Sequence, residues 1–401
     1  MKWCNLFILV GLPLFLNAQI NTTQLLSFEE DKDKTTLSQQ YLSDLSSISY
    51  KIPIVEKLEF RTEVERLVDF RQDFLFRSSF NGLSHRKAQL SKHKQYIERQ
   101  RANIAVEDYN KLEKRYREIL DILELQIEIN GTSAQFNYQA KMDSLYQMML
   151  SVGEPINLKN YIQNKEEWIL TNLELIKKKS LLHSEMNRLA KTNDTTISLI
   201  GIVTPENMKK WIDELDFDIL ARPEISRNET MDLYLDAEYN TIHAKDNKII
   251  DFAQVRYNVR EDLLFENRIS VGVGLLIPWS GSSKLKYRDI EIDRLKNMHE
   301  KQELISALQL DFIDSRQKFY HLFDVYQMYK KHEDDPVWKD MKRRISMSGR
   351  MSISDQLSIE KYELEKTKTI DKMYIDLLRS FIEVVANSGK LALKKDYFLG
   401  L

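Results

Sequence analysis

The chain has 401 residues, 30% of them charged and 42% hydrophobic, with 11 glycines, 7 prolines and a formal net charge of −2. Compact α/β enzymes have short elements and need many more turn residues, so this composition argues against one and predicts long helices. The near-neutral balance shows no basic excess or basic face of the kind nucleic-acid binding requires, and Arg86-Lys87 and Arg343-Arg344 read as solvated helix faces.

In chain order, the N-terminus carries Lys2, an apolar core from Leu6 to Leu16, and Leu16-Asn17-Ala18 before Gln19. That order predicts a secretory signal peptide over 1–18, cut after Ala18. The alternative is a short membrane anchor, for which the apolar run is too brief. Cys4 is the only cysteine and precedes the apolar core, so no disulfide and no thiolate chemistry is expected after cleavage. No other apolar run approaches the length of a membrane-spanning helix, so membrane contact would fall to strands or to the surface. The pattern leaves the structure of the N-terminal segment, 19–50, open.

From there two periods alternate. Leu58, Phe60 and Val64 alternate with Glu59, Arg61, Glu63 and Glu65; Phe70, Phe74 and Phe76 alternate with Arg71, Asp73 and Arg77, with Gln72 interrupting the apolar set. Period two predicts a hairpin at about 54–79. A helical arm over 83–192 follows, with Asn130-Gly131 read as a helix breaker and Gly153 as a turn. In the second half, Ala253, Val255, Tyr257 and Val259 alternate with Gln254, Arg256, Asn258 and Arg260, predicting a hairpin at about 249–279. The arm over 282–388 carries Ile305, Leu308, Phe312, Ser315, Phe319, Leu322 and Tyr326, then Ile370, Tyr374, Leu377, Phe381 and Val384. Steps of three and four keep each set on one helix face, the spacing of a coiled-coil seam. Counted from Ser79 and Trp279, breakers fall at Asn130 and His332, offsets 51 and 53, and glycines at Gly153 and Gly349, offsets 74 and 70. The agreement predicts a tandem duplication, with a first repeat over 51–220 and a second over 221–401.

Catalytic motifs are missing. There is no Gly-x-x-x-x-Gly-Lys-Ser/Thr loop and no His-Glu-x-x-His, and the seven histidines have no ligand spacing. Acidic pairs such as Glu29-Glu30 and Asp334-Asp335 are expected by chance in a chain with 61 acids. Asn130-Gly131-Thr132 fits a glycosylation acceptor but reads better as a turn. No enzyme activity, metal or cofactor is expected.

A family resemblance emerges from three stretches. "SGRMSISDQLSIEKYELEK" (348–366) resembles the helix-turn signature of TolC-like outer-membrane efflux proteins at Gly349, Ser352, Ile353, Asp355 and Leu357. "RISVGVGLLIPW" (268–279), with a glycine shortly after, resembles the strand that enters the long helix in that family, and "ARPEI" (221–225) the start of its second repeat. The likeness covers roughly 50–400 and is closer from 221 onward; 22–50 has no helix start to mirror Pro223-Glu224.

The resemblance implies a mainly α fold with a β-barrel contribution: two tandem repeats, each a β-hairpin with long antiparallel coiled-coil helices. A homotrimer would close a twelve-stranded barrel in the outer membrane of a Gram-negative bacterium and extend as an α-helical tunnel into the periplasm. The implied function is a passive exit duct of a tripartite efflux pump or type I secretion system. Its partners would be a periplasmic adaptor protein, an inner-membrane pump and outer-membrane lipid. The alternative is a periplasmic coiled-coil scaffold or binding protein that never inserts. For the constriction, Asp355 matches the first acidic position of the family, and Ser358 stands where a second Asp is often found, which thins the acidic ring. The matching turn of the first repeat, "VGEPINLKN" (152–160), brings Lys159 and Asn160. Gly153 and Gly349 would mark the tips where an adaptor docks, with simple turn glycines as the alternative.

Within "RISVGVGLLIPW", Ile277 stands where a dinucleotide loop needs its third glycine. In a barrel, Ile269, Val271, Val273, Leu275 and Ile277 would face lipid, and Ser270, Gly272 and Gly274 the lumen, leaving an open passage. Trp279 would sit at the membrane–water boundary. A soluble β core is the alternative, but it would have to bury Arg61 or Glu63.

Overall fold

The computed structural model describes residues 20–21, 32–48, 50–66, 71–153, 155–190, 197–198, 203–259, 264, 268–276, 282–333, 336, 338, 340, 341, 343 and 353–391. The elements run β1 (Ile20–Asn21), α1 (Lys32–Ser47), β2 (Val55–Arg66), β3 (Arg71–Phe80), α2 (Leu83–Val152), α3 (Leu158–Ala190), β4 (Ile197–Ser198), α4 (Pro205–Asp213), α5 (Pro223–Asp246), β5 (Ile250–Asn258), β6 (Ile269–Leu275), α6 (Ser282–Glu333) and α7 (Ile353–Asn387). The order of hairpin, long helix and returning helix occurs twice. Among the described residues no helix is long and apolar enough to cross a membrane. The chain divides into two compact units, each drawing on both halves of the sequence.

One unit comprises Lys32–Asn110 and Asp218–Leu310. Its centre is a four-stranded antiparallel sheet in the order β2-β3-β5-β6. β3 and β5 join the two hairpins, with Arg77 opposite Gln254 and Phe76 opposite Val255. Residues directly opposite one another share a face. Leu58, Phe60, Phe74, Phe76, Val255, Tyr257, Ile269, Val271 and Val273 therefore lie on one side, and Glu59, Arg61, Glu63, Asp73, Arg77, Gln254, Arg256, Ser270, Gly272 and Gly274 on the other. The period-two pattern of both hairpins becomes a single two-sided sheet.

In the same unit α5 is bonded to two neighbours by polar side chains. Pro223 opens it, where a missing N–H costs nothing. Toward α2, Lys92 Nζ meets Glu238 at 2.5 Å and the buried His85 ring lies 3.2 Å from the Thr241 carbonyl. Toward α6, Arg294 pairs with Asp236, Asn297 donates to the Asn228 carbonyl at 3.0 Å, and Lys301 reaches Glu229 at 3.1 Å.

The other unit holds the larger apolar core, in which Ile119, Leu120 and Leu123 of α2, Met208 and Ile212 of α4, Phe319 of α6, and Ile375, Leu377, Phe381 and Val384 of α7 are buried. The Phe381 ring lies 6.0 Å from Trp211 and 6.4 Å from Phe319. On α6 the seam predicted from spacing is the buried stripe: Leu308, Phe312, Ser315, Phe319 and Tyr326 are inside, with Phe323 more enclosed than Leu322.

The break predicted at Asn130-Gly131 does not exist. α2 is continuous for 70 residues, about 105 Å at 1.5 Å per residue, and passes through Asn130, Gly131 and Thr132 without a turn. One glycine costs a helix only about 1 kcal/mol relative to alanine. Here the flanking Ile129 and Thr132 are buried, and Thr132 Oγ1 accepts from Lys178 Nζ at 3.3 Å, so packing holds the helix straight through.

Candidate functional site

The sheet presents its apolar side outward. Ile269, Val271, Val273 and Leu275 are 45, 74, 59 and 65% exposed, and Leu58, Phe60 and Phe76 are exposed beside them. An antiparallel sheet normally packs its apolar face on a core, and a patch of this extent on a soluble surface marks contact with something else. The opposite face is polar and largely self-neutralised. Glu59 pairs with Lys57 at 2.5 Å and with Arg61 at 3.1 Å. Buried Asp73 pairs with Arg256, whose Nε donates to Oδ2 at 3.1 Å.

The two glycines of β6 lie on this polar side, but the space above them is filled. A Cβ at Gly274 would stand 2.1 Å from Cε1 of Phe252, the residue opposite it, and a Cβ at Gly272 would stand 3.2 Å from the Gln254 side chain. The glycines by themselves thus leave no empty space on this side: a missing side chain in a pleated sheet leaves a cup, and at Gly274 the cross-strand aromatic occupies it. The Arg77 guanidinium lies over the same ring, 3.3 Å from its centroid. Ile277 and Trp279 lie outside the described residues. Period two places Phe252 on the polar side with Gln254 and Arg256, since the irregularity of β5 falls before it, between Ile250 and Phe252. The alternation gives the face but not the register that sets Phe252 opposite Gly274 and beside Arg77.

Where the strands meet the helices, Asp246 at the end of α5 holds the start of α6. Its carboxylate accepts from Ser283 Oγ at 2.7 Å and from Tyr287 OH at 3.1 Å. Burial and this bond push the Tyr287 hydroxyl up to about 12.

At the far end of α2, Gly153 has φ +77° and its N–H donates to the Leu150 carbonyl at 3.2 Å, a glycine cap. Nothing lies within 4 Å of a Cβ built there, so backbone angle rather than crowding calls for glycine. Asn157 caps α3, its Oδ1 accepting from the Asn160 N–H at 3.2 Å, and Asn160 is exposed in the first turn. Asp355 is the third residue of α7 and Ser358, three residues on, is exposed. Gly349 lies outside the described residues. One short segment of α2 bonds to both returning helices, Lys141 to Glu360 of α7 and Asp143 to Lys165 of α3 at 2.6 Å. Lys165 and Glu360 are each the eighth residue of their helix, so the same stretch of α2 meets α3 and α7 at equal depth, five residues past Asn160 and two past Ser358. Met148, Leu150, Val152, Leu158 and Ile162 are exposed around the turn. Among the described residues no group of His, Cys, Asp and Glu side chains could hold a metal.

No family model and no curated protein matches the sequence. Solved structures do match. The outer-membrane channel OprN is 11% identical, with 91% of this chain covering 89% of that one at a TM-score of 0.62. The Campylobacter jejuni CmeC outer membrane channel is 9% identical over 94% and 86% of the two chains, TM-score 0.61. The outer membrane protein VceC of Vibrio cholerae is 12% identical over 89% and 91%, TM-score 0.59. The chain has the TolC-like fold. Coverage near nine-tenths on both sides means that the TolC-like fold accounts for the sheet and for the long helices together, rather than for one unit alone.

Proposed function

We propose that the protein is a passive exit duct across the outer membrane and periplasm of a Gram-negative bacterium, the outer-membrane component of a tripartite efflux pump or type I secretion system. The sheet carries this reading: four strands with one exposed apolar face, one ion-paired polar face, and edges at β2 and β6 that pair with no further strand among the described residues. Open edges are not tolerated in lipid, so a homotrimer that pairs β6 of one copy with β2 of the next would close twelve strands. β2, β3 and β5 have 12, 10 and 9 residues, the length a tilted strand needs to cross about 30 Å of hydrocarbon. In that barrel Ile269, Val271, Val273, Leu275 and Ile277 face lipid, Ser270, Gly272 and Gly274 face the lumen, and Trp279 anchors the boundary. OprN and CmeC, which share the fold, are outer-membrane channels.

The two hairpin-and-arm segments, 51–220 and 221–401, are tandem repeats in this reading. Their arms build a periplasmic tunnel whose turns at Gly153 and Gly349 meet an adaptor protein coupled to an inner-membrane pump. Asp355, Ser358 and Asn160 line its constriction, and the duct performs no chemistry and uses no cofactor. The test is purification in detergent followed by mass measurement and insertion into planar bilayers. A trimer with ionic conductance is the expected result; a monomer that stays dispersed without detergent overturns the duct in favour of a periplasmic scaffold.

A further inference from the structure

We propose that Arg77, seated on Phe252, is an anion-recognition point on the polar face of the sheet, selecting cargo that carries carboxylate or phosphate groups. The inference rests on that face lining the duct.

The argument begins with what the other cations of the face are doing. Lys57 and Arg61 share Glu59, and Arg256 is held by Asp73. The residue opposite Arg77 on β2 is Glu59, whose carboxylate those two neighbours already occupy. Its opposite on β5 is Gln254, which is uncharged. Of Lys57, Arg61, Arg77 and Arg256, Arg77 is the one outside any ion pair, and its buried Nε has no hydrogen-bond partner. These four cations stand against the three carboxylates Glu59, Glu63 and Asp73, an excess of one positive charge.

Leaving a guanidinium nitrogen buried and unbonded costs free energy, so the group needs a compensating arrangement. That arrangement spans three strands. Gly274 of β6 leaves the cup, Phe252 of β5 lies in it, and Arg77 of β3 stacks on the ring at 3.3 Å. A guanidinium held flat on an aromatic face keeps one orientation and loses little freedom when its remaining N–H groups are engaged. Such a fork matches a planar carboxylate or a phosphate far better than a halide or a neutral solute. Of Lys57, Arg61, Arg77 and Arg256, Arg77 is thus the cation seated on an aromatic ring rather than held in an ion pair.

The experiment uses the full-length detergent-purified protein in planar bilayers under a potassium chloride gradient, with citrate added as the polyanionic probe. Arg77→Gln is expected to move the chloride-to-potassium permeability ratio toward potassium by roughly twofold at 0.1 M salt, where screening limits the reach of one charge, and to weaken citrate block. Arg77→Lys keeps the charge without the flat stack, so the permeability ratio stays near wild type while citrate block weakens. Phe252→Leu, which leaves Arg77 in place, is expected to weaken citrate block as well and carries the test if Arg77→Gln fails to assemble. An unchanged ratio together with unchanged citrate block in Arg77→Gln overturns the site while leaving the duct intact. A wild-type protein with no conductance overturns the duct reading, and the site with it.

Discussion

At Gly274 the absence of a side chain is what the fold uses. Its place is taken by the Phe252 ring, which a Cβ would meet at 2.1 Å, and β-strand backbone leaves that ring little room to retreat. Gly274→Ala is therefore expected to destabilise the protein by about 1–3 kcal/mol, the range for overpacking a filled site, read as a lower urea midpoint in detergent. Gly272→Ala should cost less, because its Cβ meets the flexible Gln254 side chain at 3.2 Å. Equal losses at the two positions would mean that the ring is not what requires Gly274. At this scale the sequence is half legible. The alternation of Ile269, Val271 and Val273 with Ser270, Gly272 and Gly274 correctly separates the two faces, since every cross-strand pairing preserves that period. What fills a glycine's space depends on the opposite strand, and the register that sets Phe252 against Gly274 is stated by neither strand alone.

Among the elements, α2 and α6 show when a breaker breaks. Gly153 ends α2 because it adopts φ +77°, an angle side chains resist, whereas Gly131 sits mid-helix, where an added Cβ would meet nothing nearer than Lys368 Cγ at 3.8 Å. Gly131→Ala is accordingly expected to stabilise by about 0.5–1 kcal/mol, because the alanine restricts the unfolded chain without a clash. Thermal or urea unfolding checks this, and a destabilised variant would show that the helix is locally strained there. Residue type alone does not distinguish Gly131 from Gly153; the packed Ile129 and Thr132 on either side of the former do. The α6 seam is legible because burial follows the helical period, and it drifts from Leu322 to Phe323 because 3.6 residues per turn do not divide seven evenly.

For the whole molecule, the exposed apolar face decides where the protein can reside. Left in water, that face and the two strand edges, unpaired among the described residues, would invite aggregation. The protein is expected to follow the outer membrane on cell fractionation and to remain there through a carbonate wash; recovery from the soluble periplasmic fraction would favour the scaffold. Signature residues from 348 to 366 and the strand at 268–279 make the TolC-like fold visible in a sequence only 9–12% identical to OprN, CmeC and VceC. The pairing of β3 with β5 is not visible, since nothing local in either strand names a partner in the other half of the chain.

That pairing also imposes a timetable. Ser79 finds its opposite at Phe252, 173 residues later, and Asp73 at Asn258. The first hairpin can form as soon as it is delivered, yet one edge of β3 then stands idle, apolar on one side, until the second hairpin arrives. Pairings so distant in the chain are slow to close and leave strand edges open to the wrong partner. The most hazardous moment in the life of this protein therefore falls before its second half exists in folded form, when β3 still lacks its second neighbour.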